Sequence, residues 1–195
     1  MKSLKNTKTA ENLLKSFAGE SQARNRYTYF SSIAKDEGYI QISEIFTETA
    51  DNENEHAKRF FKFLKDDFNG EVIEINGATY PVAFGNTLFN LKQAAIGENE
   101  EHSVVYPSFA KIAEEEGFPQ IAKAFRDIAS VEVRHETRYN KLVQNIEKGE
   151  VFKKNNKVYW ICKNCGYVHE GTEAPTSCPS CLHPQGYFAL FVENY

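Results

Sequence analysis

Two Glu-x-x-His pairs, Glu53 with His56 and Glu132 with His135, stand 79 residues apart. On a helix, positions i and i+3 share a face, so each pair presents a carboxylate beside an imidazole. Glu20 precedes Glu53 by 33 residues and Glu98 precedes Glu132 by 34, with Glu101 close behind Glu98. Carboxylate oxygens and imidazole nitrogens suit iron or manganese and match a soft-metal site poorly. One such pair is ordinarily a surface ion pair. Two pairs at a fixed offset, each with an upstream glutamate, point to the ligand pattern of two-metal four-helix bundles. A second chemistry sits near the C-terminus. Cys162-x-x-Cys165 and Cys178-x-x-Cys181 enclose twelve residues. Two knuckles at that separation give a tetrahedral S4 metal site. The spacing leaves the metal open: zinc would make the segment structural, and iron would make it a one-electron carrier.

The elements that position these groups follow from the apolar periodicity. A first helix is expected over Ala10 to Asp36, with Thr9 as N-cap and Gly38 as its stop. A second covers Ile40 to Asp66, a third Thr87 to Glu116, and a fourth Pro119 to Glu147. Their apolar stripes read Leu13, Phe17, Glu20, Arg24, Tyr27; Ile42, Phe46, Thr49, Glu53, His56, Phe60, Phe63; Leu91, Ala94, Glu98, Glu101, Val105, Ile112; and Ile121, Phe125, Ile128, Glu132, His135, Tyr139, Leu142. Each stripe carries acid halfway along. Bare carboxylates buried together would lose hydration and repel one another, and dications offset both costs. Tyr27 and Tyr106 sit seven or eight residues from a glutamate of their own helix. They fit either plain core positions or hydroxyls bonded to a ligand carboxylate. His102, His169 and His183 read as ordinary surface residues.

Asp67 to Gly85 holds Gly, Pro and a short alternation, Val72-Ile73-Glu74-Ile75, and reads as a long crossover. Two helical hairpins joined by one long connection make a ferritin-like four-helix bundle. The fold class is mainly α: this bundle over residues 1–148, then a small β-rich metal-binding domain over residues 149–195. Strand-like alternation at Lys157-Val158-Tyr159-Trp160-Ile161 supports the second part.

The hairpins repeat. Ile33-Ala34-Lys35-Asp36-Glu37-Gly38-Tyr39 returns 79 residues later as Ile112-Ala113-Glu114-Glu115-Glu116-Gly117-Phe118. Tyr27 then falls on Tyr106 and Phe30 on Phe109, but Gly19-Glu20 matches Gly97-Glu98, one residue early. The third helix thus holds one extra residue, and a π-bulge near 99–105 that turns Glu101 inward accommodates it.

The formal net charge of −4, with both signs interspersed, gives no footprint for nucleic acid or an anionic membrane. No segment approaches the roughly 20 apolar residues of a membrane span. The chain opens on Met1-Lys2-Ser3-Leu4 and polar residues, so a cytoplasmic location is expected.

These motifs together resemble the rubrerythrins along essentially the whole chain. The segments that carry the resemblance are Ala18-Gly19-Glu20, Glu53-Asn54-Glu55-His56, Gly97-Glu98-Asn99-Glu100-Glu101-His102, Tyr106-Pro107-Ser108-Phe109-Ala110, Glu132-Val133-Arg134-His135, Cys162-Lys163-Asn164-Cys165-Gly166-Tyr167-Val168-His169 and Cys178-Pro179-Ser180-Cys181-Leu182-His183-Pro184. The resemblance implies a non-heme diiron site ligated by Glu20, Glu53, Glu98, Glu101, Glu132 and His135, with His56 a redox-dependent ligand. It also implies a rubredoxin-like mononuclear iron site on the four thiolates of Cys162, Cys165, Cys178 and Cys181. It implies a homodimer, with the tail of one subunit close to the diiron site of the other. The implied activity is reduction of hydrogen peroxide to water as protection against oxidative stress. Electrons would come from an NADH-dependent reductase or a rubredoxin, since the chain has no G-x-G-x-x-G fingerprint of its own. Leu182 departs from the glycine that follows the second knuckle in simple rubredoxins. The same bundle would also serve a ferroxidase or iron-storage protein, a reading that leaves the cysteines without a role.

Overall fold

A computed structural model describes residues 2–194. Helix α1 runs Lys8–Asp36, α2 Ile40–Phe68, α3 Thr87–Glu100, α4 Tyr106–Glu115 and α5 Pro119–Glu147. A π-helical turn, Glu101–Val105, joins α3 to α4. The expected third helix is therefore one continuous rod, with its i→i+5 turn where the extra residue falls. The segment between Phe68 and Thr87 holds no strand, and the Val72–Ile75 alternation stays irregular.

Local signals set the helix ends. Thr7, not Thr9, caps α1: its Oγ1 accepts from the Ala10 N–H. Thr9 lies inside the helix, and its hydroxyl and N–H both donate to Glu116. Gly38 and Gly117 hold φ of 81° and 80°, so both hairpins turn through the left-handed glycine the repeat predicts. The backbone closes both turns alike, Tyr39 N–H on the Ala34 carbonyl and Phe118 N–H on that of Ala113, each at 2.7 Å. Arg24 is a correction to the expected stripe: it is exposed, and Ala23 takes the core position.

The core divides into two apolar clusters along the bundle. One holds Leu13, Phe60, Leu64, Tyr106 and Phe125, and the other Tyr27, Phe30, Phe46, Leu91 and Tyr139. Phe60 meets Phe125 at 4.9 Å between ring centroids, and the repeat equivalents Phe46 and Tyr139 meet at 5.3 Å. The acidic positions lie between the two clusters.

Beyond α5, Gly149 turns with φ 66°. Strand β1 (Lys153–Cys162) then pairs antiparallel with β2 (Val168–Glu173) and β3 (Phe188–Leu190), in the order β2-β1-β3. Trp160 is buried at the centre of this small core, its indole N–H on the Gly171 carbonyl. The sheet rests on the α1–α2 end of the bundle. Phe152 stacks on Tyr39, Lys163 pairs with Glu44 at 3.0 Å, and a Cβ on Gly186 would fall 2.2 Å from the Gly38 carbonyl oxygen. No helix among the described residues is long and apolar enough to cross a membrane.

Glu116 ties the two hairpins together by accepting the N–H groups of Lys8 and Thr9 and the Thr9 hydroxyl. Partial burial works against its charge, but these hydrogen bonds hold its carboxyl below the usual range. A depressed carboxyl stabilises above its unfolded pKa, and that stability is lost as pH falls through the folded one. Glu116→Ala should therefore cost about 1 kcal/mol at neutral pH. Urea melts of the chelator-treated protein should show the difference shrinking as pH drops below about 4.

Candidate metal centres

Each helix of the bundle delivers its acid to one level. Glu20 on α1, Glu53 on α2, Glu98 on α3 and Glu132 on α5 are all at most 1% exposed. Ligand atoms of Glu20, Glu53, His56 and Glu132 lie within 4.8 Å of one another, and so do those of Glu53, Glu98, Glu132 and His135. Glu53 and Glu132 belong to both groups. Each of them comes from a Glu-x-x-His pair, so the two motifs supply a shared pair of carboxylates at the centre. Glu20 with His56, and Glu98 with His135, flank that pair on either side.

Several of these atoms have no hydrogen-bond partner in the protein. They are Glu20 Oε2, Glu53 Oε1, Glu98 Oε2, both carboxylate oxygens of Glu132, and His135 Nδ1. The imidazoles are near, His56 Nδ1 at 3.0 Å and His135 Nδ1 at 2.8 Å from Glu132, but not in hydrogen-bonding orientation. Buried acceptors left unpaired are costly, and buried carboxylates doubly so. The donor set of four to five carboxylates and two imidazoles fits a pair of hard or borderline dications.

Electrostatics point the same way. Burial pushes the Glu20 carboxyl well above the usual range, and the charges of Glu101, Glu53 and Glu132 add to it. Glu98 is raised by burial and by Glu53. For His56 burial alone would lower the pKa, but the carboxylates of Glu132 and Glu53 beside the ring carry it up to about 10. His135 is carried to about 12 by Glu132, Glu53 and Glu98 against the same opposing burial. Without a metal, this cluster can hold its charge only by retaining protons.

Glu101 stands outside both four-residue groups. It is half-buried at the start of the π-turn and lines a cavity of about 270 Å³. Burial, then Glu98, Glu132 and Glu53, raise its carboxyl well above the usual range. It thus turns toward the cluster and also faces open space.

The two tyrosines brace the site across the bundle. Tyr27 on α1 donates to Glu98 Oε1 at 2.6 Å, and Tyr106 on α4 donates to Glu20 Oε1. Each bonds the glutamate of the other's helix rod, as the repeat relates them. Spacing within one helix could not show this. Sequence reasoning also missed Asn52, whose Oδ1 lies 3.3 Å from His135 Nε2. Nothing but its adjacency to Glu53 pointed to it. His102 faces outward to Glu136 at 2.6 Å, away from the cluster.

The four cysteines come together at the end of the sheet as free thiols. Cys162 Sγ lies 3.7 Å from Cys181 Sγ, and Cys165 Sγ lies 3.6 Å from Cys178 Sγ. A tetrahedron with metal–sulfur bonds of about 2.3 Å has edges of about 3.8 Å, so both separations fit an S4 metal site. A disulfide would need about 2 Å. Burial raises Cys162 to about 11, against backbone N–H groups of Cys165 and Asn164 that favour its thiolate. The His183 N–H lowers Cys181 to about 6. Leu182 holds φ 61°, the left-handed conformation that glycine takes at this turn without strain.

A rubrerythrin family model matches residues 11–158, and the model of the rubrerythrin rubredoxin-like domain matches residues 160–189. The chain belongs to the rubrerythrin family. It is 65% identical over 196 residues to a rubrerythrin of Clostridium perfringens and 62% identical over 195 residues to rubrerythrin-1 of Clostridium acetobutylicum, covering 100% of each chain on both sides. A solved structure of nigerythrin in a mixed-valence state shares 28% identity at TM-score 0.64, covering 97% of this chain and 92% of that one. Rubrerythrin membership makes this a non-heme iron protein of oxidoreductase type, with a diiron carboxylate–histidine site and a rubredoxin-like four-cysteine site. The residues present fit both.

The charge crowding predicts a reversal of sign. Glu20→Gln should stabilise the chelator-treated bundle by about 1–3 kcal/mol, because burial and the charges of Glu101, Glu53 and Glu132 all disfavour its anion. The same variant should destabilise the iron-loaded protein by lowering its metal affinity. Paired thermal melts with and without chelator check both signs.

Proposed function

We propose that this rubrerythrin reduces hydrogen peroxide to water in the cytoplasm, protecting the cell from oxidative stress. The observation that carries the reading is a buried carboxylate–histidine cluster with a cavity beside it, over Glu101. In this reading Glu53 and Glu132, common to both ligand groups, would help hold two irons, with Glu20 and His56 on one side, Glu98 and His135 on the other, and Glu101 as a further ligand. Cys162, Cys165, Cys178 and Cys181 hold the mononuclear iron. Two ferrous ions held there would supply the two electrons that peroxide reduction takes and would offset charge on its oxygens.

The chain's own groups do the rest. Tyr27 and Tyr106 each hold one oxygen of Glu98 and Glu20, which leaves the second oxygen of each for the metal. The apolar clusters on both sides keep bulk water away from the carboxylates. Glu101 borders the cavity, so substrate and protons enter past its carboxyl.

Electrons reach the protein from an NADH-dependent reductase or a rubredoxin and pass through the cysteine-bound iron. Residues 1–148 and 149–195 act as separate domains in this scheme. Lys163, beside Cys162, pairs with Glu44, nine residues before Glu53. At 1.5 Å per residue that is about 13 Å along α2, so a chain's own tail sits at the bundle's end rather than beside its cluster. This supports a homodimer in which the tail of one subunit serves the diiron site of the other.

Two measurements test the reading. Metal analysis of natively purified protein should find about three irons per chain, two on carboxylates and one on sulfur. The sulfur site should give red thiolate-to-ferric absorption, and a colourless protein holding only zinc would sink the electron-carrier role. Cys162→Ser or Cys178→Ser should abolish the red band while the bundle keeps its metal. Donor-driven peroxide reduction should collapse, yet the chemically reduced bundle should still turn over one equivalent of peroxide. Unchanged steady turnover would show that electrons take another route.

A further inference from the structure

The cavity over Glu101 is larger than its proposed substrate requires. It measures about 270 Å³, whereas one water needs only about 10–15 Å³ of cavity volume. Glu101 and Tyr106 line it, and Tyr106 reaches the cluster through its hydroxyl on Glu20. Val105 and Phe109 form an apolar side wall. The crossover segment Gly77–Pro81 also lines it, held by the Tyr80 hydroxyl on the Lys15 carbonyl at 3.0 Å. Charge is confined to Lys15, Arg26, Glu100 and Glu101 itself.

Two glycines line the same space, and each directly precedes a cluster glutamate: Gly19 before Glu20 and Gly97 before Glu98. Glycine inside a helix weakens it, so an interior glycine needs a reason. Close packing is not the reason at Gly97, where an added Cβ would meet nothing within 4 Å. At Gly19 the nearest atom to such a Cβ is Cε1 of Tyr80, at 3.7 Å. Both positions stay bare in ordinary helical backbone, and what their bareness preserves is room beside the carboxylates.

From this room and its apolar wall, we infer that the cavity admits hydroperoxides carrying an apolar substituent, R–OOH, with the substituent against Val105, Phe109 and the Tyr80 ring and the O–O group toward Glu101. The inference rests on the peroxide-reductase reading and widens its substrate class. The reaction balances as R–OOH + 2 e⁻ + 2 H⁺ → R–OH + H₂O. The O–O bond breaks, the hydroperoxide is reduced, and the electrons come from the same donor chain proposed above.

The test uses the full-length, iron-loaded, chemically reduced protein, with oxidation followed by visible absorption after mixing with hydrogen peroxide, tert-butyl hydroperoxide or cumene hydroperoxide. Both organic peroxides should oxidise it at rate constants within about a hundredfold of hydrogen peroxide, the range a pocket sets by fit to apolar groups. Gly97→Leu should lower the organic-to-hydrogen-peroxide ratio at least about tenfold. Gly97→Ala, which helix propensity favours, should move it the same way and covers a folding failure of the larger variant. A second readout needs no iron: saturation transfer from the metal-free protein to the product alcohol 2-phenyl-2-propanol, expected for the parent chain and lost in Gly97→Leu. Hydrogen peroxide oxidising the protein while both organic peroxides fall outside that range overturns the inference, as does a ratio indifferent to Gly97 or a parent chain without saturation transfer. Failure of hydrogen peroxide itself sinks the underlying reading, and the widened substrate class with it. Saturation transfer would then still report whether the cavity takes an apolar guest.

Discussion

Four carboxylates packed into one level of a helical bundle, each at most 1% exposed, set the terms for the whole structure. Such a cluster has two ways to exist: retain protons, or hold cations. The raised carboxyls of Glu20, Glu98 and Glu101 and the raised imidazoles of His56 and His135 describe the first state. The unpaired oxygens of Glu20, Glu53, Glu98 and Glu132 are shaped for the second. Stability and iron loading are therefore one problem in this protein. The aromatic clusters on either side hold the helices together while the middle layer carries charge in place of apolar packing.

The architecture answers with repetition. Both hairpins turn through a left-handed glycine with the same closing hydrogen bond, which places Glu53 and Glu132 at equivalent heights. The tyrosine braces then cross between hairpins, from Tyr27 to Glu98 and from Tyr106 to Glu20. A brace within one helix would leave the hairpins free to slide. A brace between them couples carboxylate orientation to the hairpin packing, so the site is only as precise as the bundle.

Most of this was legible in the sequence because periodicity and spacing encode it. Glu-x-x-His on a core stripe, the 79-residue offset and its one-residue slip gave the four helices, the paired cluster and the π-turn at Glu101–Val105. What was not legible depends on contacts between helices or on competition between neighbours. Thr7 and Thr9 are equally good caps in isolation, and Glu116, over a hundred residues away, decides by claiming Thr9. Arg24 and Ala23 differ by one step of helix phase, less than a stripe can resolve. The Asn52 contact with His135 joins α2 to α5, and no pattern within either helix announces it.

The departures from symmetry say most about how the site works. The inserted residue gives the α3–α4 rod a second acid, Glu101, where α1 has only Glu20. The 79-residue offset places Val131 opposite Asn52, so His135 has a partner for Nε2 and His56 has no equivalent one. It also places Tyr139 opposite Phe60. A fully symmetric bundle would hold two metals in like surroundings. Here the anchored histidine lies with Glu98, while the unanchored one lies with Glu20. The repeat builds a rigid cradle for two cations, and one extra residue brings Glu101 to the cavity that the paired glycines Gly19 and Gly97 line.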